Sequence, residues 1–185
     1  MIKIVVVGVA GRMGKTIVSC IEDTQGVSIT GGTEYPGHAA IGSDIGEIAG
    51  IGKKGISVME NIGDALTDCD AIIDFTTPAT SILNLEFAVK YKKSIVIGTT
   101  GFSAEEKKTI DQAAKSIRCV LAPNMSIGVN VLFKVAGDVA RILNDAYDVE
   151  IIEAHHKFKK DAPSGTAVRL SEIIANSLDR NIDEI

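Results

Sequence analysis

Short apolar runs, rich in β-branched residues, alternate with amphipathic stretches along the chain as far as residue 124. Each run has the length of a strand and most end at glycine or another turn residue, so the pattern predicts buried strands. The runs occupy residues 2–8, 27–33, 71–78, 94–101 and 118–124. A glycine-rich stretch follows the second run to about Gly55. Continuous apolar strands separated by helices predict a parallel sheet covered on both faces.

Helices are predicted in the intervals between these runs, at residues 12–23, 79–91 and 103–116. Ser103, followed by Glu106 three positions later, predicts a capping box at the start of the last helix. From about residue 126 the alternation changes. A long helix, a strand and a further helix are then expected at residues 127–143, 147–156 and 164–178. We therefore expect an α/β fold: a Rossmann-type doubly wound parallel sheet at 1–126, followed by an incomplete α+β domain at 127–185.

Composition narrows the function classes. The chain is 45% hydrophobic and 23% charged, which is typical of a globular protein. A net charge of −5 and 4% aromatic residues without tryptophan argue against a nucleic-acid partner, which needs a basic face or a stacking platform. The cysteines Cys20, Cys69 and Cys119 are far apart, which fits reduced thiols in a cytoplasmic protein. No apolar run approaches about 18 residues, so we expect neither a membrane span nor a signal peptide.

A glycine loop, GVAGRMG, begins at Gly8 between the first strand and the first helix. Gly8 supplies a tight turn, Ala10 and Gly11 allow a pyrophosphate to approach the backbone, and Gly14 allows the helix to pack closely on the sheet. Glu34, at the end of the second strand, lies where an acid would bind a ribose hydroxyl. The loop therefore predicts a dinucleotide site. The alternative is a plain glycine turn beside a surface glutamate.

The same loop also resembles a nucleotide-triphosphate P-loop, because Lys15 and Thr16 follow Gly14. That motif needs four residues between its glycines, whereas Gly8 and Gly14 are separated by five. We therefore do not expect triphosphate hydrolysis.

Two later strands end in GTTG, at 98–101, and APNMS, at 122–126. The carboxyl ends of parallel strands line the ligand crevice, so both turns would border the reactive end of a dinucleotide. Ordinary strand-to-helix turns remain the alternative for each.

A basic stretch, EAHHKFKKDAPSGTA, spans residues 153–167 of this acidic protein. Its end predicts a helix start with Ser164 or Asp161 as N-cap, where N–H groups suit a carboxylate. His156 and Lys159 add positive charge, and Lys159 is a candidate proton donor. The adjacent histidines lack partners at metal-ligand spacing, so no metal is expected. A solvated basic loop is the alternative.

The motifs EIIEAHHKFKKDAPSGTA, GVAGRMG, IDFTTP, VIGTTGF and PNMSIGVNV together resemble the dihydrodipicolinate reductase family along essentially the whole chain. The resemblance implies an NADH- or NADPH-dependent enzyme of lysine and diaminopimelate biosynthesis that reduces a cyclic imine dicarboxylate. It also implies a homotetramer, and it makes 127–185 an incomplete substrate and oligomerisation domain.

The resemblance assigns roles to residues that match the family's motifs. The proton-transfer residues would be His155 and Lys159. The contacts to substrate carboxylates would be His156, Gly165 and Thr166. The dinucleotide contacts would be Gly8, Val9, Ala10, Gly11, Arg12, Met13 and Glu34. The contacts to the nicotinamide half would be Gly98, Thr99, Thr100, Ala122, Pro123, Asn124 and Met125.

Two departures from the family pattern change the expectations. Family members often carry a cation after the acid of the second strand, whereas Tyr35 and Pro36 follow Glu34 here. This favours NADH modestly, although Arg12 or a lysine at 53–54 could compensate. Family chains also continue further, so an incomplete second domain is expected. Two other functions stay open: an oxidoreductase of different specificity, and a non-catalytic dinucleotide-binding module.

Overall fold

The apolar runs form one six-stranded parallel sheet in the computed structural model, which describes residues 1–157 and 162–182. Its strands, in chain order, are β1 (Ile2–Val7), β2 (Val27–Thr33), β3 (Val58–Met59), β4 (Ala71–Asp74), β5 (Ser94–Ile97) and β6 (Cys119–Leu121). Their spatial order is β3-β2-β1-β4-β5-β6, and every neighbouring pair is parallel. The chain therefore builds outward from β1 in one direction and then from β4 in the other, which creates a crevice at the β1–β4 switch point.

Five helices accompany this sheet: α1 (Arg12–Glu22), α2 (Ile45–Ala49), α3 (Ile62–Ala65), α4 (Pro78–Tyr91) and α5 (Ala104–Ala113). Proline at the first position of α4 is preorganised for a helix start, and Thr77 caps it. The capping box expected at Ser103 and Glu106 is present at α5.

The alternation of side chains along β1 explains the two hydrophobic cores. Val5 and Val7 belong to one buried cluster, whereas Ile4 and Val6 belong to the other. Successive strand residues point to opposite faces, so a fully apolar strand has to be covered on both sides. The doubly wound arrangement supplies that cover.

The glycine-rich stretch holds more structure than the sequence pattern indicates. It contains α2, and the segment after it forms β3 and α3. Asp44 organises the region, because its carboxylate accepts hydrogen bonds from the backbone N–H groups of Gly46, Glu47, Lys54 and Gly55. These donors, chiefly Lys54, lower the pKa of Asp44 to about 2 against the opposing effect of desolvation. One carboxylate thus closes a loop whose elements are too short to show a period.

The coordinates divide into two units, Met1–Ala122 and Pro123–Ile185. The boundary predicted after residue 126 stays a prediction. The second unit contains α6 (Ile127–Leu143), a short 3-10 turn (Asn144–Ala146) and α7 (Gly165–Ser177).

The two long helices of the second unit approach each other closely. A Cβ added at Gly137 of α6 would lie 2.9 Å from Cγ2 of Ile173 on α7. Phe133 and Ala140 on α6 and Ile174 and Ala175 on α7 are buried. Glycine at position 137 therefore sets the distance at which α6 and α7 pack.

The prediction of a strand at residues 147–156 is wrong. The structure assigns no strand there, and among the described residues no strand pairs with this segment. Strand structure requires a hydrogen-bonded neighbour, so β-branched residues such as Val149 and Ile151 cannot form one by composition alone.

Candidate active site

The glycine loop is held against the second strand by its own backbone. The N–H groups of Gly8 and Val9 donate to the carbonyl of Thr33, at 2.9 and 3.2 Å, and Gly11 donates to Gly8 at 3.0 Å. Gly8 has φ +68°, a conformation that favours glycine. A Cβ added at Gly14 would lie 2.2 Å from the carbonyl oxygen of Gly8. Glycine at 14 therefore lets α1 begin directly against the loop, with its N–H groups exposed to an anion.

The remaining loop residues offer different groups to a ligand. Val9 is wholly buried in the core, so only its backbone could contact a cofactor. Arg12 and Met13 lie on the first turn of α1 and are exposed. Arg12 thus places a long cationic side chain beside the loop, and Met13 adds apolar surface.

Glu34 follows β2 and contacts the glycine loop. Its Oε1 accepts a 2.8 Å hydrogen bond from the N–H of Ala10. The sequence pattern predicts that Glu34 lies near a ribose and that the glycine loop lies near a pyrophosphate. In the structure Glu34 and the loop are in contact. An acid held in this way suits a pair of ribose hydroxyl donors better than a phosphate.

A cavity of about 650 Å³ opens beside these groups, within the size range of ligand sites. Its wall includes Gly8, Gly11, Glu34 and Tyr35, together with residues of the turn after β4 and of α4. It lies at the carboxyl ends of β1, β2 and β4, where the strand order reverses and doubly wound folds bind ligands.

The turn after β4 is organised by a buried carboxylate that the sequence analysis missed. Asp74 is fully buried and accepts from the N–H and hydroxyl of Thr76, at 3.0 and 2.6 Å, and from Nδ2 of Asn84 at 2.8 Å. The buried hydroxyl of Thr99 accepts from the Thr76 N–H at 2.9 Å and from the Ser81 hydroxyl at 2.8 Å. An acid at the end of an apolar run was the available signal.

The GTT sequence after β5 meets this network. The N–H of Gly98 donates to the carbonyl of Asp74 at 2.9 Å, and a Cβ at position 98 would lie 2.0 Å from the ring of Phe75. Thr99 is buried in the network, whereas Thr100 is exposed. Ala122, after β6, donates to Ile97 at 3.3 Å. These strand ends therefore share one edge of the sheet.

In the second unit the structure brings Asn124 and Thr166 together, although they are far apart in sequence. Nδ2 of Asn124 lies 3.3 Å from the hydroxyl of Thr166, and Oδ1 of Asn124 accepts from the N–H of Ser126 at 2.9 Å. Pro123 and Met125 flank this amide, and the Met125 side chain is exposed. The PNMS turn and the start of α7 thus form one polar group.

Glu153 contacts both the N-terminus of α7 and His155, the first of the two predicted histidines. Ser164 caps the helix by accepting from Ala167 at 3.1 Å, and its own N–H donates to Oε1 of Glu153 at 2.8 Å. Oε2 of Glu153 lies 3.6 Å from Nδ1 of His155. Gly165 is the first residue of the helix. Glu153, which the sequence analysis did not single out, therefore links a proton-transfer candidate to a carboxylate-binding candidate.

The other predicted residues of this region are placed unevenly. His156 is exposed. Lys159 and the alternative cap Asp161 lie outside the described residues. In the parts of the chain that are described, no cluster of His, Cys, Asp or Glu could hold a metal ion. No helix among residues 1–157 and 162–182 is long and apolar enough to cross a membrane.

Two family models account for nearly the whole chain. One, described as dihydrodipicolinate reductase, N-terminus, matches residues 2–125, and the other, described as the C-terminus of the same enzyme, matches residues 128–185. The chain belongs to the dihydrodipicolinate reductase family.

Individual relatives agree with this assignment. The chain is 51% identical to a 4-hydroxy-tetrahydrodipicolinate reductase of Geotalea uraniireducens and 50% identical to that of Geobacter sulfurreducens. Each alignment covers 100% of this chain and 69% of the relative. A solved structure of dipicolinate-bound dihydrodipicolinate reductase from Paenisporosarcina sp. TG-14 is 30% identical with a TM-score of 0.73, over 96% of this chain and 66% of that one.

These similarities confirm the family, the Rossmann-type fold and the oxidoreductase function that the sequence predicted. The matched N-terminal domain supports the use of NAD(P)H, and the glycine loop and Glu34 provide groups that fit a dinucleotide. The roles of individual residues stay predictions.

Proposed function

We propose that this chain catalyses the NAD(P)H-dependent reduction of 4-hydroxy-tetrahydrodipicolinate, a cyclic imine dicarboxylate, to tetrahydrodipicolinate in lysine and diaminopimelate biosynthesis. The observation that carries the proposal is the hydrogen bond from the N–H of Ala10, in the glycine loop, to Glu34 at the switch point of the sheet. The chain that contains it belongs to this reductase family. The substrate loses its 4-hydroxyl group as water, the bound cofactor would supply a hydride to the unsaturated ring, and a proton is added to the neighbouring carbon.

The first unit would hold the cofactor. The N–H groups of the glycine loop and of the start of α1 would bind the pyrophosphate, and Glu34 would accept hydrogen bonds from ribose hydroxyls. Gly98, Thr99 and Thr100, with Ala122, are assigned to the nicotinamide half. These residues orient the cofactor and exclude water from it, while the redox chemistry belongs to the cofactor itself.

The second unit would bind the substrate. The dipicolinate in the Paenisporosarcina structure is a dicarboxylate, and this chain offers matching donors at the start of α7. The N–H of Gly165 and the hydroxyl of Thr166 would receive one carboxylate, and His156 would add charge. Asn124 positions Thr166 by the 3.3 Å contact between their side chains.

The proton would come from the basic stretch. By resemblance to the family, His155 exchanges a proton and Lys159 donates one. Glu153 orients His155, because its carboxylate lies 3.6 Å from Nδ1. This leaves Nε2 of His155 directed away from the acid as the atom that could exchange a proton with the substrate.

The preference is proposed to be for NADH. Exposed Tyr35 and Pro36 follow Glu34, where a cation would be needed beside a 2′-phosphate. Of the two lysines that could compensate, Lys54 is ion-paired with Glu22. The remaining cations that could offset the charge of Glu34 are Lys53 and Arg12. Neither lies in the turn that follows Glu34.

We also propose a homotetramer in the cytoplasm. Apolar side chains exposed along α6, among them Ile127 and Ile142, fit association of subunits. The cysteines are free thiols, and burial raises the pKa of Cys69 and Cys119, which keeps both unreactive. Light scattering on the purified chain would give the mass of the assembly.

The test is oxidation of NADH and of NADPH by the chain with freshly generated 4-hydroxy-tetrahydrodipicolinate, beside a Lys159→Ala variant. We expect turnover with both cofactors, faster with NADH, and loss of most of it in the variant. Lys157→Ala is the matched control on the same basic stretch. A chain that binds NADH but does not oxidise it with this substrate would contradict the proposal.

A further inference from the structure

We propose that Asp74 is a positioning residue for the wall of the dinucleotide cavity, an inference that rests on the proposed function. Asp74 ends β4 at the switch point, and its carboxylate is fully buried. Through hydrogen bonds it connects three segments: the turn after β4, the turn after β5 and helix α4.

The carboxylate is surrounded by neutral donors. They are the N–H and hydroxyl of Thr76, the Nδ2 of Asn84 at 2.8 Å and, more distantly, the hydroxyl of Thr99 at 3.5 Å. Burying a carboxylate is costly unless its oxygens are hydrogen-bonded, and an apolar residue would fill the position at lower cost. The arrangement therefore needs a reason beyond packing.

The bonded partners point to the cofactor site. Thr76 and Asn84 both line the 650 Å³ cavity. A Cβ added at Gly8, the first glycine of the loop, would lie 2.9 Å from the Cγ2 methyl of Thr76, so Thr76 abuts the loop. Thr99 belongs to the sequence assigned to the nicotinamide half. One carboxylate thus fixes two elements of the cavity wall, the turn after β4 and α4, relative to each other and to the turn after β5.

The opposite end of the same strand provides a natural comparison. Asp70, just before β4, also accepts a backbone hydrogen bond, from the N–H of Lys3 at 2.8 Å, but it is exposed and lines no part of the cavity. If Asp74 only fastened the sheet, Asp74→Asn would lower the stability more than Asp70→Asn but would leave cofactor binding by the folded protein unchanged. If it positions the cofactor, only Asp74→Asn changes binding.

The experiment measures the Kd of NADH and of 5′-AMP, the adenosine half, for the folded chain and both variants. In Asp74→Asn an amide NH2 faces donors that need an acceptor, so we expect the Kd of NADH to rise about tenfold. The Kd of 5′-AMP should rise as well, because Thr76 and Asn84 line the same cavity as Glu34. Asp70→Asn should leave both values unchanged.

A second variant decides the matter if Asp74→Asn does not fold. Thr76→Val preserves the shape and the methyl group against Gly8 but removes the hydroxyl that donates to Asp74. We expect it to fold and to raise the Kd of NADH about threefold.

Folded Asp74→Asn and Thr76→Val variants that bind NADH and 5′-AMP like the unaltered chain would overturn the inference while leaving the proposed function intact. An unaltered chain that binds no NADH would overturn the proposed function, and this inference with it.

Discussion

The two units of this chain differ in how much of their apolar surface they bury. In the first, residues such as Ile72 and Val6, which belong to the two clusters on opposite faces of the sheet, are completely buried. In the second, α6 contacts α7 by one side only, and Ile127 and Ile142 remain 83% and 79% exposed. The helices of a doubly wound fold cover the apolar strands of the sheet. The two long helices of the second unit leave apolar side chains exposed.

This difference predicts where the free energy of unfolding resides, and the largest effect is expected in the sheet. Ile72→Ala removes a fully buried side chain from β4 and should lower the free energy of unfolding by about 4 kcal/mol. Ile142→Ala, of the same chemistry on exposed α6, should change it by less than about 0.5 kcal/mol at protein concentrations at which the chain is monomeric. Urea unfolding followed by circular dichroism measures both. Similar losses in the two variants would mean that α6 is covered in solution.

Glycines near the starts of α1 and α6 sharpen the comparison. Gly14→Ala places a methyl group 2.2 Å from the Gly8 carbonyl, so it should cost about 3 kcal/mol of stability and abolish NADH binding. Gly128→Ala meets only the Ser126 hydroxyl at 3.8 Å and should stabilise α6 by about 0.5 kcal/mol. Thermal melts with NADH titration test the pair. NADH binding retained by Gly14→Ala would refute the close-packing argument.

Asp44 makes the first unit sensitive to acid. Its pKa of about 2 in the folded chain lies below the ordinary 3.8, so its stabilising effect is complete above the ordinary value and is lost as the pH falls toward 2. Asp44→Asn should therefore be less stable than the unaltered chain at neutral pH, and the gap should close in that acid window. Urea midpoints recorded across this range measure it. A gap that is independent of pH would show that the charge contributes nothing.

The smallest effect is expected for the ion pair between Arg180 and Asp145 in the second unit. Both side chains are largely exposed, so solvent screens the attraction. Asp145→Asn should change the free energy of unfolding by less than about 0.5 kcal/mol. A melting temperature that falls by many degrees would indicate instead that this pair fastens the 3-10 turn to the end of α7.

The features that the sequence could predict are those encoded locally. Long apolar runs and the Ser103 capping box identified the main strands and α5, and fixed spacing brought Glu34 to the glycine loop. The short elements β3, α2 and α3 escaped, because two to five residues carry no measurable period and Asp44 holds their region together.

The features that the sequence could not predict depend on partners distant in the chain. The Asp74 carboxylate accepts a hydrogen bond from the hydroxyl of Thr99, 25 positions later. Glu153 accepts one from the N–H of Ser164, 11 positions later. The segment at 147–156 failed for the same reason, since strand formation depends on a neighbour rather than on its own β-branched residues.

The bond between Glu34 and Ala10 also affects the entropy of binding. A free glutamate samples several rotamers, and fixing such a side chain costs about 0.5–1.5 kcal/mol when a ligand arrives. Here one carboxylate oxygen is already engaged by the loop, so the ordering has occurred during folding. In the proposed site an arriving ribose would therefore meet a rigid acceptor, so binding of the adenosine end of a dinucleotide would need little rearrangement of the first unit.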